Sequence, residues 1–345
     1  MSTRITQTLV CVFSVLGAIA RADDPLLLRV TNMQVAPAHM PAVKVWVKNQ
    51  SDAAYQGSLT IELPDGWTLD PPSQDLALPP GETGSVRFTI HDAKTRDANR
   101  YPVVAIAKEG GREIRRSQEI VCASAPYFKP EIDGKADDWK DAIPATFAAK
   151  GKKTTISTFW NRRQFSVLVA VEEEELIAKR DGKPFDAVQI AISPQDTQTS
   201  TSLDGEATRY EFLLASDGTG QGGRCYQLAE PGMKLGETQS EQDLNKLAIE
   251  DPKLAVWREG STTYYEWGIS FRNLPDMKAG EGREFFFSVL VHDPDGTGLR
   301  DWGEAAGLWP TQRNWLAWST WPGAAWPEEP PMDNKVEWGM CSSKY

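Results

Sequence analysis

Histidine is nearly missing from this chain, at three residues, and cysteine is scarce, at four. So few histidines leave little material for His-assisted nucleophilic catalysis, and no Gly-x-Ser-x-Gly elbow is present. Zinc-ligand spacing, a phosphate-binding loop and a dinucleotide fingerprint are missing too, which removes the commonest cofactor chemistries. No apolar run reaches the ~20 residues that a membrane-spanning helix needs. Sustained helical periodicity, internal repeats and low-complexity tracts are also lacking. Positive charge is in deficit: 37 Lys and Arg stand against 48 Asp and Glu, a net −11. A chain this acidic repels nucleic acid and anionic membranes, so neither partner is expected.

What is present begins with a secretory signature over residues 1–22. Arg4 supplies the positive region, Leu9 to Ile19 the apolar region, and Ala20-Arg21-Ala22 a cleavage site before Asp23. Removing it takes two arginines and no acid, leaving the chain more acidic still. The expected location is secreted, extracellular or periplasmic. Cys11 goes with the signal, leaving Cys122, Cys225 and Cys341. An odd number implies a free or intermolecular thiol. A Cys122–Cys341 bridge would close a very long loop, worth ~4 kcal/mol on chain-entropy grounds. Three buried or reduced thiols fit the sequence equally well.

Short β-rich runs punctuated by Gly, Pro, Asn and Asp dominate, giving an all-β expectation of two β-sandwich domains. In residues 23–122 the runs are Leu26 to Val30, Ala42 to Lys48, Ser58 to Leu63, Gly84 to Ile90, Tyr101 to Lys108 and Glu113 to Val121. Turns fall at Asn49-Gln50-Ser51, Pro64-Asp65-Gly66, Pro79-Pro80-Gly81 and Gly110-Gly111. This half shows no converging set of ionisable groups. His39 and His91 read as surface or turn residues, and Trp67 as a core plug. Asn49, Leu59-x-Ile61-x-Leu63-Pro64-Asp65-Gly66-Trp67, Leu78-Pro79-Pro80-Gly81-Glu82-Thr83 and Val86-x-Phe88 resemble the immunoglobulin-like domain that accompanies some alpha-galactosidases. The resemblance implies a structural spacer without catalytic residues.

Residues 123–129, beginning with the small residues Ala123-Ser124-Ala125, read as a linker to a larger domain over 130–345. Its expected strands are Thr154 to Trp160, Gln164 to Val171, Ala187 to Ser193, Arg209 to Ala215, Leu254 to Glu259, Thr262 to Phe271 and Glu284 to His292. Alternation in the first of these predicts one-sided burial, whereas Val167 to Val171 and Phe285-Phe286-Phe287 are apolar enough for burial on both faces. Residues 216–250 read as a long polar loop excursion with a helical turn near Glu241 to Ile249. The opening Ile132-Asp133-Gly134-Lys135-Ala136-Asp137-Asp138-Trp139 resembles the start of family 9 carbohydrate-binding modules and their wider superfamily. Phe185 to Ile192, Tyr210-Glu211-Phe212, Tyr265 to Ile269 and Phe285 to Asp293 fit that family's strands. The resemblance implies a jelly-roll-like sandwich, sugar binding through stacking tryptophans, and in some members structural calcium.

Seven of thirteen tryptophans lie in the last 44 residues. Trp315, Trp318 and Trp321 recur every third residue, which in a polyproline-like stretch lines one face about 9 Å apart. An indole face suits a sugar ring, but Trp is also highly buried on average. The expected division assigns Trp309, Trp315, Trp318 and Trp321 to ligand, with Arg313 and Asn314 for hydroxyls. Trp338, in a final strand, goes to the core; Trp302 fits either role. Asp293, Asp295 and Asp301, spread around two glycines, permit a calcium site, although a plain β-turn uses the same residues. Glu172 to Glu175 reads as a solvated loop. The expected function is non-catalytic binding of a polysaccharide or oligosaccharide. Two alternatives stand beside it: a haem-binding electron-transfer domain with His292 and a methionine as ligands, and a structural interaction protein.

Overall fold

The computed structural model describes residues 24–180, 183–194, 206–207, 209–234, 243–302 and 337–344. The signal at residues 1–22 lies outside the described residues. The described chain is all-β and builds two sandwiches.

The first uses β1 (Leu26–Val30), β2 (Ala42–Asn49), β3 (Tyr55–Glu62), β4 (Thr68–Asp70), β5 (Gln74–Leu78), β6 (Thr83–His91), β7 (Tyr101–Glu109) and β8 (Arg112–Ile120). Sheet β1-β2-β6-β4 packs on sheet β5-β3-β7-β8. Period-two alternation drives the packing: Val43, Val45 and Val47 of β2 are buried while Lys44, Trp46 and Lys48 between them stay half-exposed. Asn49 ties the β2–β3 turn to the end of β5, its amide donating to the carbonyls of Ala53 (2.7 Å) and Leu78 (3.2 Å). Trp67 is half-buried and tilts against Tyr101 with ring centroids 5.2 Å apart, so it plugs the sandwich as its position after a turn suggested.

The second sandwich contains β9 (Ser124–Ala125), β10 (Ala145–Ala149), β11 (Lys152–Trp160), β12 (Gln164–Glu172), β13 (Ala187–Pro194), β14 (Tyr210–Ser216), β15 (Gly223–Ala229), β16 (Lys253–Glu259), β17 (Thr262–Ser270), β18 (Glu284–Asp293), β19 (Gly298–Trp302) and β20 (Glu337–Met340). A five-stranded sheet, β10-β11-β12-β17-β16, faces a seven-stranded one ordered β15-β14-β13-β18-β20-β9, with β19 also on β18. Val167, Val169, Phe212, Phe287, Trp302 and Trp338 fill the space between them. β18 is central and buried along nearly all its length, as its aromatic run suggested.

Three sequence expectations change. β11 is not buried on one side only, because Phe159 on its outer face is covered by Trp139 (centroids 5.2 Å apart) and Phe128 (5.1 Å). Residues 216–250 are not all loop: Gly223–Ala229 pairs with β14, its Cys225, Tyr226 and Leu228 buried. The helical turn there is short, Leu244–Lys246. Residues 123–125 are no solvated tether. Their small side chains are fully buried, and β9 runs parallel to β20.

The two sandwiches are therefore fused along a seam. The Ser124 hydroxyl donates to the Gln34 carbonyl (2.7 Å), Asn99 donates to the Pro144 carbonyl (2.8 Å), and Arg29 of β1 pairs with Glu337 of β20. Gly339 is required at this seam, since a Cβ there would fall 2.2 Å from the Gln34 carbonyl oxygen. Cys122, Cys225 and Cys341 are free, buried thiols, so the Cys122–Cys341 bridge does not form. The Cys122 thiol instead donates to the Val35 carbonyl (3.3 Å), and burial raises the pKa of all three thiols. A thiolate, not a thiol, is the nucleophile. The folded protein is thus expected to resist alkylation at neutral pH and to react at all three positions once unfolded. Mass spectrometry of iodoacetamide-treated samples with and without denaturant measures this.

Candidate functional site

The seven-stranded sheet has an unusual outer face. Alternation sends Val188, Ile190, Phe212, Leu214, Val289 and Val291 inward, and so turns Gln189, Glu211, Ser288 and His292 outward. A sheet face in water would expose these side chains. Gln189, Glu211 and Ser288 are instead fully buried, and Arg209, just before β14, is 1% exposed. Arg209 Nε donates to Glu211 Oε2 (2.8 Å), and the Gln189 amide donates to Glu211 Oε1. His292 Nε2 lies 2.8 Å from Gln189 Oε1. Because an amide oxygen only accepts, Nε2 carries the proton. Burial lowers the His292 pKa to about 4, so the ring is neutral with that single proton. The result is a directed chain from His292 through Gln189 to Glu211, closed by Arg209. One guanidinium nitrogen, Arg209 Nη2, is buried without a hydrogen-bond partner. Arg, Glu, Gln and His together offer planar donors and acceptors at fixed angles, which suits vicinal hydroxyls that each donate and accept.

The described residues that flank the tryptophan-rich segment in sequence belong to this sheet. Trp302 at the end of β19 pairs opposite Val289, and Glu337 at the start of β20 opposite Phe286. Trp302 and Glu337, which flank residues 303–336 in sequence, thus both lie along one edge of the strand that bears Ser288 and His292. Trp309, Arg313, Asn314, Trp315, Trp318 and Trp321 lie outside the described residues. Trp302 and Trp338 are core: their rings sit 5.1 Å apart, edge to face, and Trp338 Nε1 donates to Thr158 Oγ1 (3.0 Å). His292 is buried, with Nε2 engaged by Gln189.

Three strand ends bring a second cluster together. Glu173 follows β12, Asp186 precedes β13 and Asp293 ends β18, with carboxylate oxygens within 4.8 Å of one another. Asp293 accepts from the Thr297 amide (2.9 Å) and hydroxyl (2.7 Å) and from Arg300. Burial would raise its pKa, but these contacts outweigh it and hold the group below the usual carboxylate range. Asp186 accepts from the Ile177 amide through one oxygen; the other is buried and unpaired. Glu173 is 1% exposed, and neither oxygen receives a hydrogen bond of normal geometry. Arg258 stands 3.8 Å away. Burial, reinforced by the neighbouring acids, pushes Glu173 to about 8 and Asp186 to about 7. Unpaired buried carboxylate oxygens are costly, and three converging acids with free lone pairs fit a hard, oxygen-seeking cation.

Of the sequence candidates for metal, only Asp293 belongs to this cluster. Asp295 is exposed on the turn, and Asp301 is half-buried on β19, on the face opposite Arg300 and Trp302. The Asp293–Gly298 turn is closed by Asp293 and Thr297 themselves, as a plain turn would be. Glu173 was hidden in a run that reads as a solvated loop, and is buried instead. Its signal was position: the residue after an apolar strand is carried to the sandwich end with it.

The opening motif of the second domain also gains a physical role. Buried Glu266 of β17 accepts from Trp139 Nε1 (2.8 Å), the Gly134 amide (2.9 Å) and the Asp133 amide (3.1 Å). Gly134 sits at φ +77°, open to glycine. The motif is a clasp around one carboxylate. Glu266→Ala leaves three donors unpaired, two of them buried, and is expected to cost about 2–4 kcal/mol, given ~1–3 kcal/mol for an orphaned group. Urea unfolding checks this, and an unchanged midpoint would remove the clasp role.

Residues 41–109 match the family model described as NPCBM-associated, NEW3 domain of alpha-galactosidase. The first sandwich carries a NEW3 domain. A family 9 carbohydrate-binding module from Caldicellulosiruptor kristjanssonii, solved in complex with cellotriose, is 13% identical and covers 63% of this chain and 92% of its own, with a TM-score of 0.39. A family 9 module from the same organism, in complex with glucose, is 14% identical, covering 51% and 81%, with a TM-score of 0.35. The YadV chaperone is 7% identical, covering 81% and 98%, with a TM-score of 0.22. No curated protein matches the chain. The structural likenesses are low and assign no ligand. Among the described residues, no helix is long and apolar enough to cross a membrane.

Proposed function

We propose that this protein is a secreted, non-catalytic carbohydrate-binding protein. Its second sandwich takes an oligosaccharide or polysaccharide at the edge of the seven-stranded sheet, over the polar network, which is itself buried. The observation that carries the reading is the buried Arg209–Glu211–Gln189–His292 network beside the anchors of the tryptophan-rich segment. A sugar needs polar groups for its hydroxyls and an aromatic face for its C–H surface, and this part of the chain supplies both residue types. In this reading Trp309, Trp315, Trp318 and Trp321 stack on sugar, while Arg313 and Asn314 add polar contacts. Calcium, held by Glu173, Asp186 and Asp293, would neutralise the acids at the end of that sheet. The NEW3 domain acts as a spacer.

Affinity electrophoresis through gels containing soluble cellulose derivatives, xylan, mannan or algal and microbial polysaccharides tests the reading. Cellotriose and glucose, the ligands of the two similar modules, serve as competitors. Retardation by at least one glycan is expected, and unaltered migration through all of them would sink the proposal.

A further inference from the structure

The acidic cluster and the polar network are continuous along two neighbouring strands. Asp293 is the last residue of β18, and His292 directly precedes it. Asp186 stands immediately before β13, which carries Gln189. Ala187 and His292 are partners across the β13–β18 pair, so the next step of that register brings Asp186 opposite Asp293. The first bond of the network, His292 to Gln189 (2.8 Å), thus begins beside the cluster. Glu173 joins from β12 in the five-stranded sheet, so the cluster spans both layers of the sandwich.

The three acids are not held alike. The Glu173 backbone is fixed, its amide donating to the Ser261 carbonyl (3.0 Å) and its carbonyl accepting from Arg258 (2.8 Å). Asp293 is held by Thr297 and Arg300, and Arg300 also reaches across to the Glu172 carbonyl (2.7 Å). Asp186 is tied to Ile177, its amide donating to the Ile177 carbonyl (2.9 Å) and one carboxylate oxygen accepting from the Ile177 amide. Its other oxygen is buried and unpaired, as are both oxygens of Glu173. Buried carboxylate oxygens without donors need positive charge to offset their desolvation. Asp186 is the acid with the most freedom to answer that charge, and β13 carries its movement to Gln189.

We propose that cation occupancy of the Glu173–Asp186–Asp293 cluster sets the position of Gln189 and His292, and so couples metal binding to glycan binding. The coupling rests on the glycan-binding reading above and supplies its control. A calcium ion at ~2.3–2.6 Å from each oxygen draws Asp186 onto the two fixed acids and seats the start of β13 against the end of β18. Without it, like charges drive Asp186 away and the Gln189–His292 bond loosens. Linkage is reciprocal, so glycan tightens calcium by the factor that calcium tightens glycan.

NMR of the full chain titrated with calcium alone reads the first half of the coupling without any sugar. The Gln189 side-chain amide and the His292 Nε2 proton are expected to shift with calcium saturation, while the Asn49 side-chain amide in the first sandwich stays fixed. Asp186→Asn removes a ligand and is expected to weaken calcium about tenfold or more and to abolish both shifts. Calorimetric titration with a retained glycan, in calcium and in chelator, reads the second half. Binding about fivefold or more tighter in calcium is expected, matched by an equal gain in calcium affinity when glycan is present. No calcium binding, fixed Gln189 and His292 signals at calcium saturation, or equal glycan affinity with and without calcium each overturns the coupling. Shifts at Gln189 and His292 with no glycan bound in either condition would instead support the metal's hold on the network and overturn the glycan reading.

Discussion

Arg209→Lys is expected to weaken glycan binding tenfold to a hundredfold, and Arg209→Ala to cost about 3–5 kcal/mol of folding stability, the range for breaking a buried ion pair. The two substitutions separate two roles of one side chain. In the native protein Arg209 Nε neutralises Glu211, while Nη2 is buried with no protein partner. Alanine removes the neutralising charge and leaves the Glu211 carboxylate buried without its cation. Lysine keeps a positive charge in reach of Glu211 but loses the planar fork whose bond to Glu211 holds the buried network in place beneath the sugar. A hydrogen bond to a charged group contributes roughly 1.5–3 kcal/mol, which is the tenfold to hundredfold range. Urea unfolding of both variants and titration of Arg209→Lys with the best glycan measure the two effects. An Arg209→Lys protein that folds and binds like wild type would remove the polar face from the site.

The second large effect concerns the acidic cluster. Calcium at about a hundred times its dissociation constant should stabilise the protein by ~2.7 kcal/mol, a rise of several degrees in midpoint. A chelator should reverse it. Glu173→Gln discriminates a metal site from a purely structural cluster because its effect changes sign with the metal. Without calcium and above pH ~8, where Glu173 is ionised, replacing this buried acid by a neutral amide relieves repulsion from Asp186 and Asp293, and the variant should melt above wild type. With calcium, the variant lacks a ligand and should melt below wild type, with little response to added metal. Scanning calorimetry in calcium and in chelator gives all four midpoints. Wild type indifferent to calcium would remove the metal.

The strands were legible because their burial is written in period two. Val43, Val45 and Val47, or Phe285 and Phe287, announce an inward face from neighbouring residues alone. Trp338 was legible as core for the same reason. The site was readable only in part. Arg209 and Glu211, two apart on a strand, share a face, and an opposite-charge pair at that spacing was a local signal. Nothing local, however, says that this face is covered, or that Gln189 and His292 arrive beside it from other strands. Glu173 and Asp186 meet Asp293 only through sheet topology, over more than a hundred residues of separation. The acids nearest Asp293 in sequence, Asp295 and Asp301, therefore lie outside this cluster. Strand β15 was missed because Arg224 and Gln227 dilute its apolar residues and glycines flank its start.

In the proposed function the C-terminal tryptophans divide their labour between sugar and core. Indole N–H resonances of uniformly 15N-labelled protein, assigned by single Trp→Phe substitutions, report it directly during titration with a retained glycan. The resonances of Trp309, Trp315, Trp318 and Trp321 should shift in step with saturation, while those of Trp302 and Trp338 stay in place. A spectrum in which those four remain fixed while the glycan binds would contradict the account.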